Sequence, residues 1–213
     1  MRLSAVFILL GLLIFLLFGC TPAPSQSSEL QVASSPQEVS SATTAPTLIP
    51  TAADGLTKPF TLASPVLEAD NMVPTTYSCN GKDISLPLAW GEPPQGTQSL
   101  ALIMDDPDAK TVAGIIWIHW VIFNIPPQTR NLAENIPKIG TLPDGSLQGK
   151  NSFGRIGYGG PCPPSGLHHY FFKLYALDTI LNASPGAASG AIIVKISGHI
   201  LAQTELVTVY RKH

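Results

Sequence analysis

Apolar runs in this chain are short, rich in β-branched and aromatic residues, and each is cut off by proline, glycine or aspartate. Residues 100–104 (Leu-Ala-Leu-Ile-Met) run straight into Asp105-Asp106-Pro107, residues 115–125 stop at Pro126-Pro127, and residues 170–177 alternate until Asp178. Runs of this length and composition, separated by turn residues, predict strands of a mainly β, two-sheet sandwich. The unbroken runs suit central strands covered on both faces, although pattern alone does not exclude buried helix. Two shorter strands are expected at 60–62 and 74–78. Helix is scarce: 187–197 is a candidate with Ser189 as its N-cap, yet Ile192-Ile193-Val194 has strand propensity. Residues 200–210 are read as a closing strand. No internal repeat is found.

The first 58 residues have a different character. After Met1-Arg2-Leu3 the chain is apolar from 5 to 18 and reaches Gly19-Cys20. That run has the length of a signal-peptide core and falls short of the ~20 residues that span a bilayer. A small residue before cysteine at its end resembles the lipobox of bacterial lipoproteins, where the cysteine receives lipid and becomes the mature N-terminus. Phe18 stands where that pattern prefers a small residue, so an uncleaved anchor and an ordinary signal peptide stay open beside lipidation at Cys20. All three place the remainder outside the cytoplasm. Residues 21–58 are mostly Ser, Thr, Ala and Pro with three acidic residues and Lys58, too polar to offset ordering entropy by burial, and read as a disordered tether. The domains expected are thus a signal peptide (1–20), a tether (21–58) and a folded domain (59–213) large enough for one core.

With 12 Lys+Arg against 14 Asp+Glu and no basic cluster, the chain lacks the face that a nucleic-acid backbone requires. Its polar chemistry is concentrated in three segments: Asp105-Asp106-Pro107-Asp108; His119, inside the apolar phrase Trp117-Ile118-His119-Trp120; and the stretch from Gly159 through Cys162 and Pro163 to His168-His169-Tyr170. The last belongs to a loop, 149–166, with six glycines and three prolines, a length more often functional than not. Singly, Asp-Pro-Asp is an ordinary turn and a lone histidine in a strand an ordinary core residue. Three acids, three imidazoles and a phenol at strand ends together suggest a pocket.

At these residues the chain resembles the phosphatidylethanolamine-binding protein family, also called the Raf kinase inhibitor protein family, in its bacterial branch. Six phrases in order carry the resemblance: Tyr77-Ser78-Cys79-Asn80-Gly81, Met104-Asp105-Asp106-Pro107-Asp108, His119-Trp120-Val121-Ile122, Gly157-Tyr158-Gly159-Gly160-Pro161-Cys162-Pro163, Leu167-His168-His169-Tyr170 and Gly198-His199-Ile200. The resemblance implies a two-sheet antiparallel β sandwich with a few short helices. It also implies a ligand-binding pocket of Asp106, Asp108, His119, Pro163, His168 and Tyr170 with the Gly159-Gly160 backbone nearby, and no cofactor. Four positions depart from the family pattern: Lys110, His169, Ser152 and Leu86. None removes a pocket residue, but His169 in place of arginine is expected to loosen the charge pairing around it.

Carboxylates beside an anion need an explanation. The one expected here is that Asp106 or Asp108 hydrogen-bonds an imidazole, fixes its tautomer and raises its pKa, so that a protonated His119 or His168 donates to a phosphate. Tyr170 and backbone N–H groups would complete the shell, and the remaining carboxylate could accept from an ammonium. The leading expectation is non-enzymatic binding of a small phosphate-bearing or other anionic ligand, head-group-like in size. The second is a protein-interaction regulator, such as a protease inhibitor, since relatives inhibit proteases or kinases. The third, a hydrolase or metal site on Asp106, Asp108, His119 and His168, lacks a nucleophile context or a metal-spacing motif. Homodimers are frequent among bacterial relatives. With Cys20 assigned to lipid, Cys79 and Cys162 remain, either a disulfide or two small buried residues.

Overall fold

The computed structural model describes residues 59–212. The expected signal peptide, the expected lipidation site Cys20 and the expected tether lie outside the described residues. Eight strands form two antiparallel sheets. The smaller has the order β1 (Leu62–Ala63), β2 (Leu88–Trp90), β5 (Asn131–Leu132). The larger has the order β6 (Leu147–Gln148), β4 (Trp117–Ile125), β3 (Ser99–Asp106), β7 (Leu167–Leu177), β8 (Ile200–Arg211). The chain is mainly β, as its punctuated apolar runs predict.

The position of β3 explains its unbroken apolar sequence. It lies between β4 and β7, pairing Met104 with Trp120 on one side and with Phe172 on the other. All eight of its residues are buried. Leu100, Leu102 and Met104 point into the core between the sheets, where Leu88, Trp90, Trp120, Phe172 and Leu174 meet them. Ala101 and Ile103 point the other way and pack with Val121, Phe123, Ile192 and Ile196. Each large side chain so buried contributes ~1.5–3 kcal/mol before entropy is counted. Strand β7 alternates instead, because one face of its outer part is open to solvent.

Two local expectations are corrected. Residues 74–78 form no strand; Thr75–Tyr77 is a 3-10 turn. The Pro74 carbonyl accepts the Tyr77 N–H at 3.0 Å, Ser78 Oγ donates to the Thr75 carbonyl at 2.8 Å, and local side-chain bonds of this type compete with strand pairing. The segment with mixed signals is a helix, α2 (Ser189–Ile196), but its N-cap is Ala188 and no side chain caps it. Ile192 and Ile196 lie one turn apart and both are buried, so packing outweighs the β-branched preference. A short helix that the sequence did not announce, α1 (Lys110–Ala113), follows β3 and is closed by Gly114 at φ 74°.

Candidate functional site

A cavity of about 330 Å³ opens at the end of the larger sheet where β3, β4 and β7 meet the 149–166 loop. Asp106, Trp117, His119 and His168 form its polar wall; Ala109, Val112, Ala113, Phe153, Pro163 and Pro164 form its apolar wall. The strands place the polar groups. Asp106 ends β3, Trp117 and His119 are two apart on β4 and share a face, and His168 opens β7.

Asp106 is the hub. Its Oδ2 lies 2.8 Å from His168 Nδ1, and its Oδ1 accepts the Ala109 N–H at 3.0 Å where the chain turns into α1. Both carboxylate oxygens therefore have donors within the protein. This is the carboxylate–imidazole arrangement expected from the sequence, realised by one pair.

His119 is different. Its Nδ1 lies 2.7 Å from the Gly159 carbonyl, which can only accept, so Nδ1 carries the proton and Nε2 is the nitrogen left for a ligand. Burial pushes the ring's pKa below its usual value, against the Gly159 carbonyl bond and the Asp106 charge that raise it. The expectation that a carboxylate raises this imidazole is corrected, because desolvation disfavours the cation more than Asp106 favours it. An aromatic box encloses the ring, with Phe153 and Tyr170 edge-on at 5.4 and 5.1 Å and Trp117 edge-on to Phe153 at 5.3 Å.

The depressed pKa has a consequence for stability. Between the folded value and the unfolded value near 6.5 the unfolded chain binds more protons, so stability contributed by neutral His119 is present above pH 6.5 and falls as pH drops through that window. We expect the stability difference between the wild type and His119→Gln, followed by urea unfolding from pH 7.5 to 5, to shrink as pH falls. A difference that grows on acidification would contradict this.

Tyr170 is wholly buried behind His119, and its hydroxyl makes no hydrogen bond of good geometry, although the Asp106 carboxylate and the Cys162 backbone stand beside it. Burial first, and then the Asp106 carboxylate, hold its pKa far above the ordinary phenol value, so it remains a donor. Trp117 Nε1 in the cavity wall is likewise buried and unpartnered.

Other candidates have different duties. Asp105 faces the opposite side of β3, where its Oδ2 pairs with Lys173 Nζ at 2.6 Å; burial raises its pKa despite that lysine. Asp108 is half-exposed and lies outside the cavity wall, its Oδ2 accepting from the His169 N–H and lying 2.8 Å from His169 Nδ1. Slight burial would raise its pKa, but the His169 bonds outweigh that and lower it. His169 thus keeps a partner for Asp108 at the arginine position, and the expected loosening is not seen there. Of the four residues of the metal or hydrolase reading, Asp106, His119 and His168 share the cavity wall and Asp108 lies outside it, and among the described residues no group of three or more His, Cys, Asp or Glu is placed to hold a metal.

Gly159 and Gly160 offer no free donors. The Gly159 N–H bonds the His119 carbonyl and the Gly160 N–H bonds Asp83 Oδ1 at 2.6 Å. Glycine is required there by crowding: a Cβ on Gly160 would lie 2.3 Å from the Tyr77 carbonyl oxygen, and one on Gly159 2.8 Å from the Phe153 ring. Their role is to let the loop approach closely, which corrects their expected place in an anion shell. Ser152, another departure, ties the loop to β4, its Oγ accepting the Ile118 N–H at 2.9 Å. Leu86 is a fully buried core residue. Cys79 and Cys162 are joined as a disulfide with Cα atoms 5.4 Å apart, and Cys162 lies in the cavity wall beside Pro163.

Sequence reasoning missed Trp117, Phe153 and helix α1. For Trp117 the signal existed, since a residue two before His119 in a strand shares its face. Phe153 carries none, because its position depends on how the loop folds back.

The family model described as phosphatidylethanolamine-binding protein matches residues 63–211. A UPF0098 protein of Methanothermobacter thermautotrophicus is 52% identical over 140 residues, covering 66% of this chain and 91% of that protein. One from Aquifex aeolicus is 47% identical over 143 residues, covering 66% and 81%. Two solved structures have the same fold. A phosphatidylethanolamine-binding protein homologue of Chlamydia trachomatis gives TM-score 0.64 at 36% identity, covering 72% of this chain and 98% of its own. Escherichia coli YbcL, described as a new member of the mammalian PEBP family, gives TM-score 0.67 at 33% identity, covering 72% and 99%. The folded domain alone thus corresponds to nearly the whole of both solved chains. With the family model spanning nearly all of the described residues, this chain belongs to the phosphatidylethanolamine-binding protein family.

Proposed function

We propose that the domain is a non-enzymatic binding module for a small phosphate-bearing anion. We further propose that it works outside the cytoplasm, held to a membrane through lipid on Cys20 and the 21–58 tether. Family membership supports a small-ligand-binding or regulatory role in general. The observation that carries the finer reading is the pair of buried donors without partners, Trp117 Nε1 in the cavity wall and the Tyr170 hydroxyl behind His119. Such groups cost roughly 1–3 kcal/mol each when left unsatisfied; with one in the cavity wall and the other directly behind it, a ligand that supplies acceptor atoms would relieve that cost. A phosphate has acceptors to spare, and a protonated phosphate oxygen can also donate to His119 Nε2. The disulfide is of the kind that persists in oxidising compartments, consistent with the proposed location.

Tyr170→Phe tests this directly. With the unsatisfied hydroxyl gone, the apo domain should be as stable as the wild type, or more stable by about 1–3 kcal/mol. Its affinity for phosphate or phosphorylethanolamine should fall about tenfold or more, one charge-assisted hydrogen bond being worth ~1.5–3 kcal/mol. Urea unfolding and calorimetric titration of one preparation give both numbers. A variant that is less stable yet binds phosphate unchanged would make the hydroxyl structural and remove the main support for the anion reading.

A further inference from the structure

We infer that the end of the domain opposite the cavity rests on a lipid bilayer, through Ile180, Val194, Lys195, Ile200 and Leu201. The cavity then opens away from the membrane, toward the aqueous phase. This inference rests on the proposed anchor at Cys20 and extends it from tethering to orientation.

Four observations carry it. First, the chain enters the domain at this end. Leu62 pairs with Trp90 and the Thr61 carbonyl accepts the Gly91 N–H, so residues 59–61 lie beside the start of the 91–98 connection. That connection leads to Ser99, which pairs with Leu177 and donates from Oγ to the Thr179 carbonyl at 2.6 Å. An anchor at Cys20 would therefore hold this end nearest the membrane, since a flexible chain as long as residues 21–58 spans only about 35 Å on average.

Second, exposed aliphatic side chains gather at the same end. Ile180 and Val194, 63% and 73% exposed, line a groove of about 320 Å³, and Ile200 and Leu201 are exposed just beyond His199 in its wall. One exposed aliphatic needs no explanation, but four around the point of chain entry mark a contact surface. Third, the charge there suits anionic head groups. Lys195 also lines the groove and has no carboxylate partner, while Asp178 pairs with His199 and Glu92 with Arg130. Apolar side chains with a free lysine among them are what an interfacial contact uses.

Fourth, strand β3 sets this end apart from the cavity. It runs from Ser99 here to Asp106 in the cavity wall, roughly 23 Å at ~3.3 Å per residue. The exposed Val112 of α1, with Ile115 and Ile116 after it, lies at that far end, so the domain cannot rest on both patches at once. Chain entry favours the Ile180 end. Tethering makes the contact intramolecular, so a patch of this modest size suffices.

The test couples residues 20–213 through the Cys20 thiol to a maleimide lipid in vesicles of phosphatidylcholine and phosphatidylglycerol. Cys79 and Cys162 are bonded to each other and do not react. Compared with uncoupled protein, amide hydrogen exchange should slow over residues 178–182 and 193–201 and stay unchanged over 109–117. Ile180→Ser/Val194→Ser should abolish the slowing, and Ile180→Leu/Val194→Leu should keep it; a melting curve confirms the fold of each variant. Lys195→Gln should lower the docked-to-free ratio about fivefold on these vesicles, the worth of one lysine at an anionic surface, and leave it unchanged on phosphatidylcholine alone.

Slowing over 109–117 instead would turn the cavity toward the membrane and overturn the inference. Unchanged exchange throughout would do the same. So would slowing of 178–182 and 193–201 in uncoupled protein as its concentration rises, which would make this face a contact between copies of the chain. The coupling is chemical, so none of these outcomes depends on lipidation by a cell. Labelled palmitate fed to bacteria expressing the full chain tests the anchor itself. No label on Cys20 would overturn the anchor and this inference with it, whereas label on Cys20 with unchanged exchange would overturn the orientation alone.

Discussion

Cys79→Ser/Cys162→Ser is expected to destabilise the domain by roughly 3–5 kcal/mol, the loop-closure value for residues so far apart in sequence. The bond spans a sequence separation of 83 and joins the loop after the Thr75–Tyr77 turn to the cavity rim. At ~2–4 °C per kcal/mol for a domain of this size, the midpoint should fall by about 10 °C. Other bonds hold the same two segments together: the Cys79 N–H to the Pro161 carbonyl at 3.1 Å, and the Tyr158 hydroxyl to the Tyr77 carbonyl at 2.7 Å. The variant should therefore still fold, with Pro163 less firmly placed. Denaturant unfolding of the wild type with and without reductant provides the internal check, since the reduced wild type should match the variant. A loss below about 1 kcal/mol would show that the denatured chain is already constrained there, or that those other bonds suffice.

His168→Ala should have the second large effect. It leaves Asp106 Oδ2 without its partner in a residue only 3% exposed. Removing one member of a buried pair costs about 3–5 kcal/mol, mostly the desolvation of what remains. The bare carboxylate would then face the ligand, so phosphate affinity should fall at least ~100-fold, the sum of a lost donor and a gained repulsion. Asp106→Ala/His168→Ala separates the two effects. The double variant should recover part of the lost stability, because no unpaired carboxylate is left, yet it should not recover binding. Recovery of both would mean that the pair is a structural ion pair that happens to line a cavity.

Much of the larger sheet was legible in the sequence because β3, β4 and β7 lie inside it: the unbroken runs of β3 and β4 record burial on both faces, and the alternation of β7 records burial on one. The 74–78 and 189–196 segments were harder for opposite reasons. In the first, the Pro74 carbonyl and the Ser78 hydroxyl make local bonds that fold the segment into a turn. In the second, two isoleucines one turn apart found a core that propensity does not register. Among the candidate site residues, Asp106, His119, Pro163 and His168 line one cavity, and Tyr170 stands behind it. Asp108, Gly159 and Gly160 do not reach it, for reasons no spacing reveals: His169 captures the carboxylate, and both glycine N–H groups bond within the protein. The direction of the His119 shift was also illegible, since it depends on Phe153 and Tyr170 closing over the ring. Helix α1 stayed hidden because four residues carry no periodicity, although its exposed aliphatics stand in the sequence beside the Asp-Pro-Asp turn.

The most direct test of the central claim is a crystal structure of residues 59–213 soaked in phosphorylethanolamine. The account predicts density for the phosphate in the cavity, with oxygens within hydrogen-bond distance of the Tyr170 hydroxyl, Trp117 Nε1 and His119 Nε2, while the Asp106–His168 pair stays intact. An empty cavity at saturating ligand, with those donors still unpartnered, would contradict it.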